Sequence, residues 1–139
     1  MLSKTNKMTV PLWGLVIFIF WTISIVTFLV WVRIIHLMKG GSIQDFATPN
    51  DKSLLWRLYR VQANLVENLP LYLGVVFLLR VQNVAGTTAD CLIVIYMGFR
   101  ILHSFIHIAG LNPIFRVLSL AIQFSCLIAL TTLTIFVGG

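Results

Sequence analysis

The chain has 139 residues, of which 59% are hydrophobic and 10% are charged, and its mean hydropathy is +0.98. Because charged residues make up about a quarter of an ordinary soluble domain, this composition excludes that class and indicates an integral membrane protein. The formal net charge is +6. In a soluble chain such an excess would suggest nucleic-acid binding, but in a membrane protein it first indicates topology, and we expect no nucleic-acid partner.

Four apolar stretches are each long enough to cross a bilayer, which requires about 20 residues. The first follows Lys4 and Lys7 and lacks the short core and the cleavage site of a signal peptide, so we expect it to be a retained spanning helix. The second and third stretches are interrupted by polar residues. The predicted helices cover residues 10–35, 54–79, 88–109 and 113–137.

The connections between these helices carry turn residues. The one long loop, residues 36–53, contains the pair Gly40-Gly41, which is typical of a chain reversal. Gly110 predicts the end of the third helix, and Asn112 followed by Pro113 predicts the start of the fourth. The third and fourth helices should therefore be antiparallel neighbours.

These elements predict an all-α membrane protein in which residues 1–139 form a single four-helix bundle. Both termini then lie on the same side of the membrane. A bundle of this size has little interior, so association with further copies is plausible, although these features do not give the number of subunits.

The distribution of Lys and Arg predicts the orientation. Cytoplasmic ends of spanning helices carry an excess of these residues, and the end of the bundle with the 36–53 loop holds most of them. We therefore expect the loop face in the cytoplasm and both termini on the opposite side, and the short chain without a targeting signal suggests a bacterial inner membrane. The loop face holds Arg33, Lys39, Lys52, Arg57, Arg60 and Arg116, against Lys4, Lys7 and Arg80 on the other face.

Polar residues form a stripe on the second helix. Arg60, Asn64 and Glu67 are spaced i, i+4 and i+7, which puts them within about 60° of one another and along about 10 Å of the helix axis. Similar stripes occur on the third and fourth helices, and the chain directions put all of them in the half of the membrane nearest the loop, which Arg33 also reaches. The further stripes are Arg100, His103, Ser104 and His107, and Arg116, Ser119 and Gln123.

A charged residue at the centre of a spanning helix costs about 2.5–3.5 kcal/mol on insertion scales, so these side chains must face one another, water or a ligand. One interpretation is an internal network in which Glu67 bridges Arg60 and Arg100, while Arg33, Arg57 and Arg116 reach the headgroups. That network leaves a positive surplus, which favours an anionic ligand. The arginines in this half are Arg33, Arg60, Arg100 and Arg116, and they face a single glutamate.

The stretches "YRVQANLVENLPLY" (59–72) and "RILHSFIH" (100–107), followed by Arg116, resemble the MAPEG family, the membrane-associated proteins in eicosanoid and glutathione metabolism. The resemblance implies a homotrimer of four-helix protomers that binds glutathione between subunits, in the cytosolic half of the membrane. It also implies a set of site residues. The family's glutathione-holding run is matched by Arg60, Gln62, Asn64 and Glu67, and its third-helix site is matched by Arg100 and His103. His107 stands where the family often has tyrosine. Arg116 matches the family's thiolate-stabilising arginine, and Arg33 matches its first-helix arginine, which reaches the ligand from the next subunit.

The chemistry of glutathione suits this set, because Glu67 can pair with the ammonium while arginines bind the carboxylates. The implied reaction is attack of the glutathione thiolate, stabilised by Arg116, on a lipophilic electrophile or hydroperoxide delivered from the lipid. Several positions depart from the eicosanoid branches of the family and favour a general conjugating or peroxide-reducing activity. These departures are Gln62, Ala63, His103, His107 and Leu120.

Two other functions stay open. A non-catalytic membrane scaffold could bind lipid or glutathione, and a small multidrug transporter also has four short helices with one embedded carboxylate, although arginines beside that acid oppose cation transport. No metal is expected, since His103 and His107 lack further ligands. Cys91 and Cys126 have no metal-binding spacing and are expected to be small buried hydrophobic residues.

Overall fold

The computed structural model describes residues 7–137, and within that range it is helical with no strand. Helix α1 spans Val10–Met38, α2 spans Leu54–Val81, α3 spans Thr87–Ala109 and α4 spans Pro113–Phe136. A short 3₁₀ helix, Ile43–Phe46, lies in the loop between α1 and α2. All four α-helices are long and apolar enough to cross a membrane, which confirms the predicted fold class. Lys4, which entered the charge count, lies outside the described residues.

The helix ends differ from the predicted ones by up to three residues. The largest difference is at the end of α1, which continues to Met38 because nothing in the sequence stops a helix before Gly40, whose φ of +85° is in the left-handed region. A helix can extend beyond the apolar core of the bilayer. Arg33 therefore lies more than a turn inside α1 rather than at its end.

The link between α3 and α4 is as short as predicted. Gly110 ends α3 in the left-handed conformation with φ of +68°, and its N–H donates to the carbonyl of His107 at 3.1 Å. The side chain of Asn112 accepts a hydrogen bond from Ile114 N at 3.0 Å, and Pro113 is the first residue of α4. Because residues 110–112 are the whole link, α3 and α4 are antiparallel neighbours, as the sequence indicates.

The helices pack mainly in two pairs, α1 with α2 and α3 with α4, with further contacts of α2 to α3 and α4. The main apolar core includes Phe18, Tyr72 and Leu130, and a smaller cluster lies under the loop. Outward-facing side chains are mostly large and apolar, as a lipid-facing surface requires. The smaller cluster consists of Leu29, Leu55 and Leu58.

The loop is fastened to the bundle by Arg57. Its Nε donates to the carbonyl of Ile108 at 3.0 Å, and its Nη1 donates to the carbonyls of Asp51 and Lys52 at 3.0 and 3.1 Å. The expectation that Arg57 anchors to lipid headgroups is therefore wrong. Its donors satisfy carbonyls at the end of α3 and in the loop, which would otherwise lack partners.

Candidate functional site

Arg100 forms the centre of a buried polar layer, which consists of Arg100, His103, Ser104, Ser119 and Gln123. Its side chain is 1% exposed, with Nη1 donating to Gln123 Oε1 at 2.5 Å and Nη2 donating to the main-chain carbonyl of Asn64 at 2.8 Å and to Asn64 Oδ1. Asn64, Arg100 and Gln123 each lie about ten residues, or about 15 Å, from the loop end of their helices. The guanidinium thus joins α2, α3 and α4 at one depth.

These contacts give Arg100 a structural role in addition to the ligand-binding role that the resemblance implies. A guanidinium has five N–H donors, and here both terminal nitrogens are engaged within the protomer. Its Cζ also lies 5.6 Å from the ring centroid of Phe18 on α1. Arg100 therefore contacts all three other helices and holds the side chain and carbonyl of Asn64.

His103 is held in one tautomer. Its Nδ1 lies 2.6 Å from Ser119 Oγ, and that hydroxyl donates to the carbonyl of Arg116 at 3.0 Å. Because a hydroxyl has one proton, a Ser119 hydroxyl that donates to the Arg116 carbonyl can only accept from His103 Nδ1–H, and a neutral His103 then has Nε2 as an acceptor. Nε2 is buried and has no partner among the described residues.

The remaining polar groups of the layer satisfy one another. Gln123 Nε2 donates to the carbonyls of Phe99 and Ser119 at 3.2 and 3.0 Å, and Trp21 Nε1 donates to Ser104 Oγ at 3.0 Å. Ser119 and Gln123 therefore join α3 to α4, and Ser104 joins α3 to α1. These contacts fix the rotation of the helices about their axes.

The predicted stripe on α2 divides between the interior and the surface. Asn64 faces Arg100 inside the bundle, whereas Arg60 and Glu67 are exposed on the outside of the protomer and Gln62 is half-buried. Glu67 forms no ion pair with any residue in the range 7–137, unlike His36 and Asp45, which pair at 2.8 Å. The interpretation of an internal network bridged by Glu67 is therefore wrong, since Arg100 bonds to amide and carbonyl oxygens instead.

The structure brings His103, His107, Arg60 and Arg116 together near the loop end. The rings of His103 and His107 are 4.7 Å apart, and Arg60 and Arg116 lie within two turns of the loop ends of α2 and α4. Arg33 and Arg116 are both partly buried, and each has a buried Nε without a partner among the described residues. This end of the bundle thus carries arginine donors that no carboxylate of the described protomer occupies.

Three residues of this interior were not predicted. Asn68 is buried and its Nδ2 donates at 2.8 Å to the same Asn64 carbonyl that Arg100 contacts; its i+4 spacing from Asn64 was the available signal. Tyr72 and Tyr96 stack with ring centroids 5.2 Å apart, on the side of the layer away from the loop. Tyr72 Oη donates to the carbonyl of Pro11 at 3.0 Å, so it joins α2 to the start of α1.

Among residues 7–137, no group of three or more His, Cys, Asp or Glu side chains is arranged to hold a metal ion. Cys126 is buried in the main core, as expected. Cys91 is exposed, and the expectation that it is buried is wrong because it lies in the first turns of α3, on the outer face of the bundle.

The model of the MAPEG family matches residues 11–136, which includes almost the whole of all four helices. The chain belongs to the MAPEG family. The resemblance predicted from residues 59–72 and 100–116 is thereby confirmed. MAPEG proteins include glutathione transferases and related proteins as well as non-catalytic members, and the four spanning helices make this member an integral membrane protein. No curated protein and no solved structure gives a significant match.

Proposed function

We propose that this protein is a membrane-bound glutathione transferase, in which the thiolate of glutathione attacks a lipophilic electrophile or hydroperoxide. The observation that carries the proposal is that the loop half of the bundle holds arginine nitrogens and one acid that have no partners in the described protomer. Arg33 and Arg116 have donors without protein partners, and Glu67 has no ion-pair partner in the described protomer. Glutathione supplies two carboxylates, an ammonium and a thiol, which complement this set.

Each side chain then has a distinct role. Glu67 pairs with the ammonium, and Arg60 and Arg33 bind the carboxylates. Arg116 stabilises the thiolate, which is the nucleophile, by its positive charge. In conjugation, the sulfur forms a bond to the electrophilic carbon, the leaving group departs with the electron pair of the broken bond, and the thiol proton passes to solvent.

The other predicted residues support these contacts. His103 Nε2 and Gln62 offer a hydrogen-bond acceptor and an amide to the ligand, and His107 lies beside His103 and Arg116. Arg100 acts through Asn64, because its donors are engaged with Asn64 and Gln123. Arg100 is thus a positioning residue in this proposal.

The proposal includes a homotrimer with glutathione bound between subunits. Arg60 and Glu67 lie on the outside of the protomer, where lipid contact would be unfavourable for charged groups. The same face of α2 continues from Glu67 into an apolar groove between α2 and α4, which contains Leu71, Gly74 and Phe124. A second copy seated on this face would remove the charges from lipid and bring its Arg33 to the ligand.

The orientation belongs to the same proposal. With the loop face in the cytoplasm of a bacterial cell, the arginine cluster would open to the compartment that holds glutathione. The excess of Lys and Arg near the loop end supports this orientation. Lipid on the outer side of the bundle would deliver the apolar second substrate.

The test is calorimetric titration of glutathione into detergent-solubilised protein, followed by a conjugation assay with a lipophilic aryl halide. We expect the wild type to bind and conjugate. Glu67→Gln should weaken binding about tenfold or more, since hydrogen bonds to charged groups are worth about 1.5–3 kcal/mol. Asp90→Asn removes an acid from the first turn of α3 at the opposite end and should leave binding unchanged. A wild type that does not bind millimolar glutathione would refute the proposal, and binding without conjugation would indicate a non-catalytic scaffold.

A further inference from the structure

The side chain of Arg33 rests on the ring of Phe46. Arg33 Cζ lies 5.1 Å from the ring centroid, a distance typical of a cation–π contact. Phe46 is the last residue of the 3₁₀ helix, and its ring also packs against the cluster of Leu29, Leu55 and Leu58 on α1 and α2. The ring thus lies between the bundle and the guanidinium of Arg33 and contacts both.

The 3₁₀ helix is itself fastened to α1. Asp45 Oδ2 lies 2.8 Å from His36 Nε2 and accepts a hydrogen bond from Ser42 N at 2.9 Å. These two contacts hold the pKa of the Asp45 carboxyl below its usual range, with the His36 contact the larger cause, so the carboxylate is charged at neutral pH. A Cβ at Gly41 would collide with the His36 ring, so a larger residue at this position would displace that ring. We call this part of the loop the loop clasp, and it consists of His36, Gly41, Ser42, Asp45 and Phe46.

Arg33 differs from Arg57 and Arg100, which form hydrogen bonds within the protomer at this end of the bundle. Arg57 donates to Ile108, Asp51 and Lys52, and the two terminal nitrogens of Arg100 donate to Asn64 and Gln123. Arg33 makes no hydrogen bond with a described residue, although its buried and unpartnered Nε is a feature that it shares with Arg100. Arg33 is therefore held through the face of its guanidinium, and its terminal nitrogens, unlike the buried Nε, stay available at the edge.

We propose that Phe46 is the positioning residue for Arg33: the loop clasp holds the ring, and the ring orients the guanidinium toward an anion. A stacked guanidinium keeps its planar set of donors for bidentate binding of a carboxylate. The part of this inference that concerns the ligand rests on the proposed function, in which Arg33 binds a glutathione carboxylate.

The first measurement needs no glutathione. Detergent-solubilised protein is treated with an arginine-specific dicarbonyl reagent, and modification of Arg33 is measured by peptide mass spectrometry against Arg80, at the opposite end of the bundle. We expect Phe46→Leu to raise the rate at Arg33 about two- to fivefold, the size of one cation–π contact at a partly exposed site. Phe46→Tyr keeps an aromatic face and should match the wild type. Equal rates in the wild type and Phe46→Leu would overturn the inference.

The second measurement tests the action on the ligand. Phe46→Leu should raise the KM for glutathione about two- to fivefold with little change in kcat, again the size of one cation–π contact, and Phe46→Tyr should restore it. In an Arg33→Gln background, Phe46→Leu should have no further effect, whereas an equal effect in both backgrounds would contradict action through Arg33. A wild type without glutathione binding would refute the proposed function, while the modification rates would still decide whether Phe46 holds Arg33.

Discussion

Replacing Arg100 with lysine tests whether this residue joins the helices or contacts the ligand. Lysine keeps the positive charge but has a compact ammonium in place of the planar fork. The guanidinium reaches Asn64 on α2 and Gln123 on α4 at once, with Asn64 O at 2.8 Å. An ammonium in the same buried space can approach only one of these helices closely.

The expected loss of stability follows from that geometry. A hydrogen bond to a charged group contributes about 1.5–3 kcal/mol, and a buried acceptor left without a donor loses about as much. If lysine keeps the contact with Asn64, Gln123 Oε1 is left buried without its donor, because Gln123 is 1% exposed. We therefore expect Arg100→Lys to lower the free energy of unfolding by about 1.5–3 kcal/mol.

The change in the free energy of unfolding is measured by reversible unfolding in mixed micelles, in which the fraction of a denaturing detergent is increased stepwise. Arg116→Lys is the matched control, since Arg116 lies at the same end but its guanidinium makes no hydrogen bond with a described residue, and its effect on stability should stay within about 0.5 kcal/mol. The structural role of Arg100 would be refuted if both variants unfolded at the same midpoint. A loss of glutathione affinity in Arg100→Lys without a loss of stability would make Arg100 a ligand contact.

Two further predictions concern the proposed chemistry and assembly. Arg116→Ala should keep measurable glutathione binding but lose the ultraviolet absorbance of the bound thiolate, because the nearby charge that favours thiolate over thiol is gone; an unchanged thiolate signal would remove Arg116 from the mechanism. Gly74→Leu should leave the helical content intact, since a Cβ there meets no atom of the protomer within 4 Å, but should shift a trimer to smaller species in light-scattering mass measurements. Gly98→Leu is the control, because a Cβ at Gly98 also meets no atom of the protomer but lies outside the groove of α2 and α4, and this variant should stay trimeric. A Gly74→Leu variant that stays trimeric would contradict docking on that groove.

The features that sequence predicted well are those with local causes. The end of α3 and the start of α4 follow from Gly110, Asn112 and Pro113, whose conformational preferences act without help from distant residues. The depth of the polar groups also followed from helix direction and a fixed rise per residue. These two rules were enough to bring residues from three helices to one level of the membrane.

The orientation of individual side chains could not be predicted in the same way. Arg60, Asn64 and Glu67 lie within a narrow sector of α2, and the boundary between interior and surface passes through it. In a helix that is apolar on nearly every side, hydrophobic contrast does not define the rotation. Pairing across helices depends on that rotation, so the sequence does not indicate the hydrogen bond between Arg100 and Gln123.

The loop was predicted least well, for a related reason. Phe46 and Asp45 carry no periodic pattern, and their contacts with Arg33 and His36 depend on how the chain folds back on α1. Arg57 likewise suggested a headgroup anchor, because nothing in its own helix indicates that the carbonyl of Ile108 lies beside it.

The link of residues 110–112 limits how the bundle can open. The three linking residues span four Cα–Cα steps between α3 and α4, or at most about 13–14 Å, so the two helices can separate at the loop end by only a few ångströms beyond the ordinary spacing of packed helices. The α1–α2 connection, residues 39–53, is much longer and is held by side-chain contacts that can be broken. Any motion that opens this end of the bundle to a bulky molecule must therefore move α1 or α2, while α3 and α4 stay together.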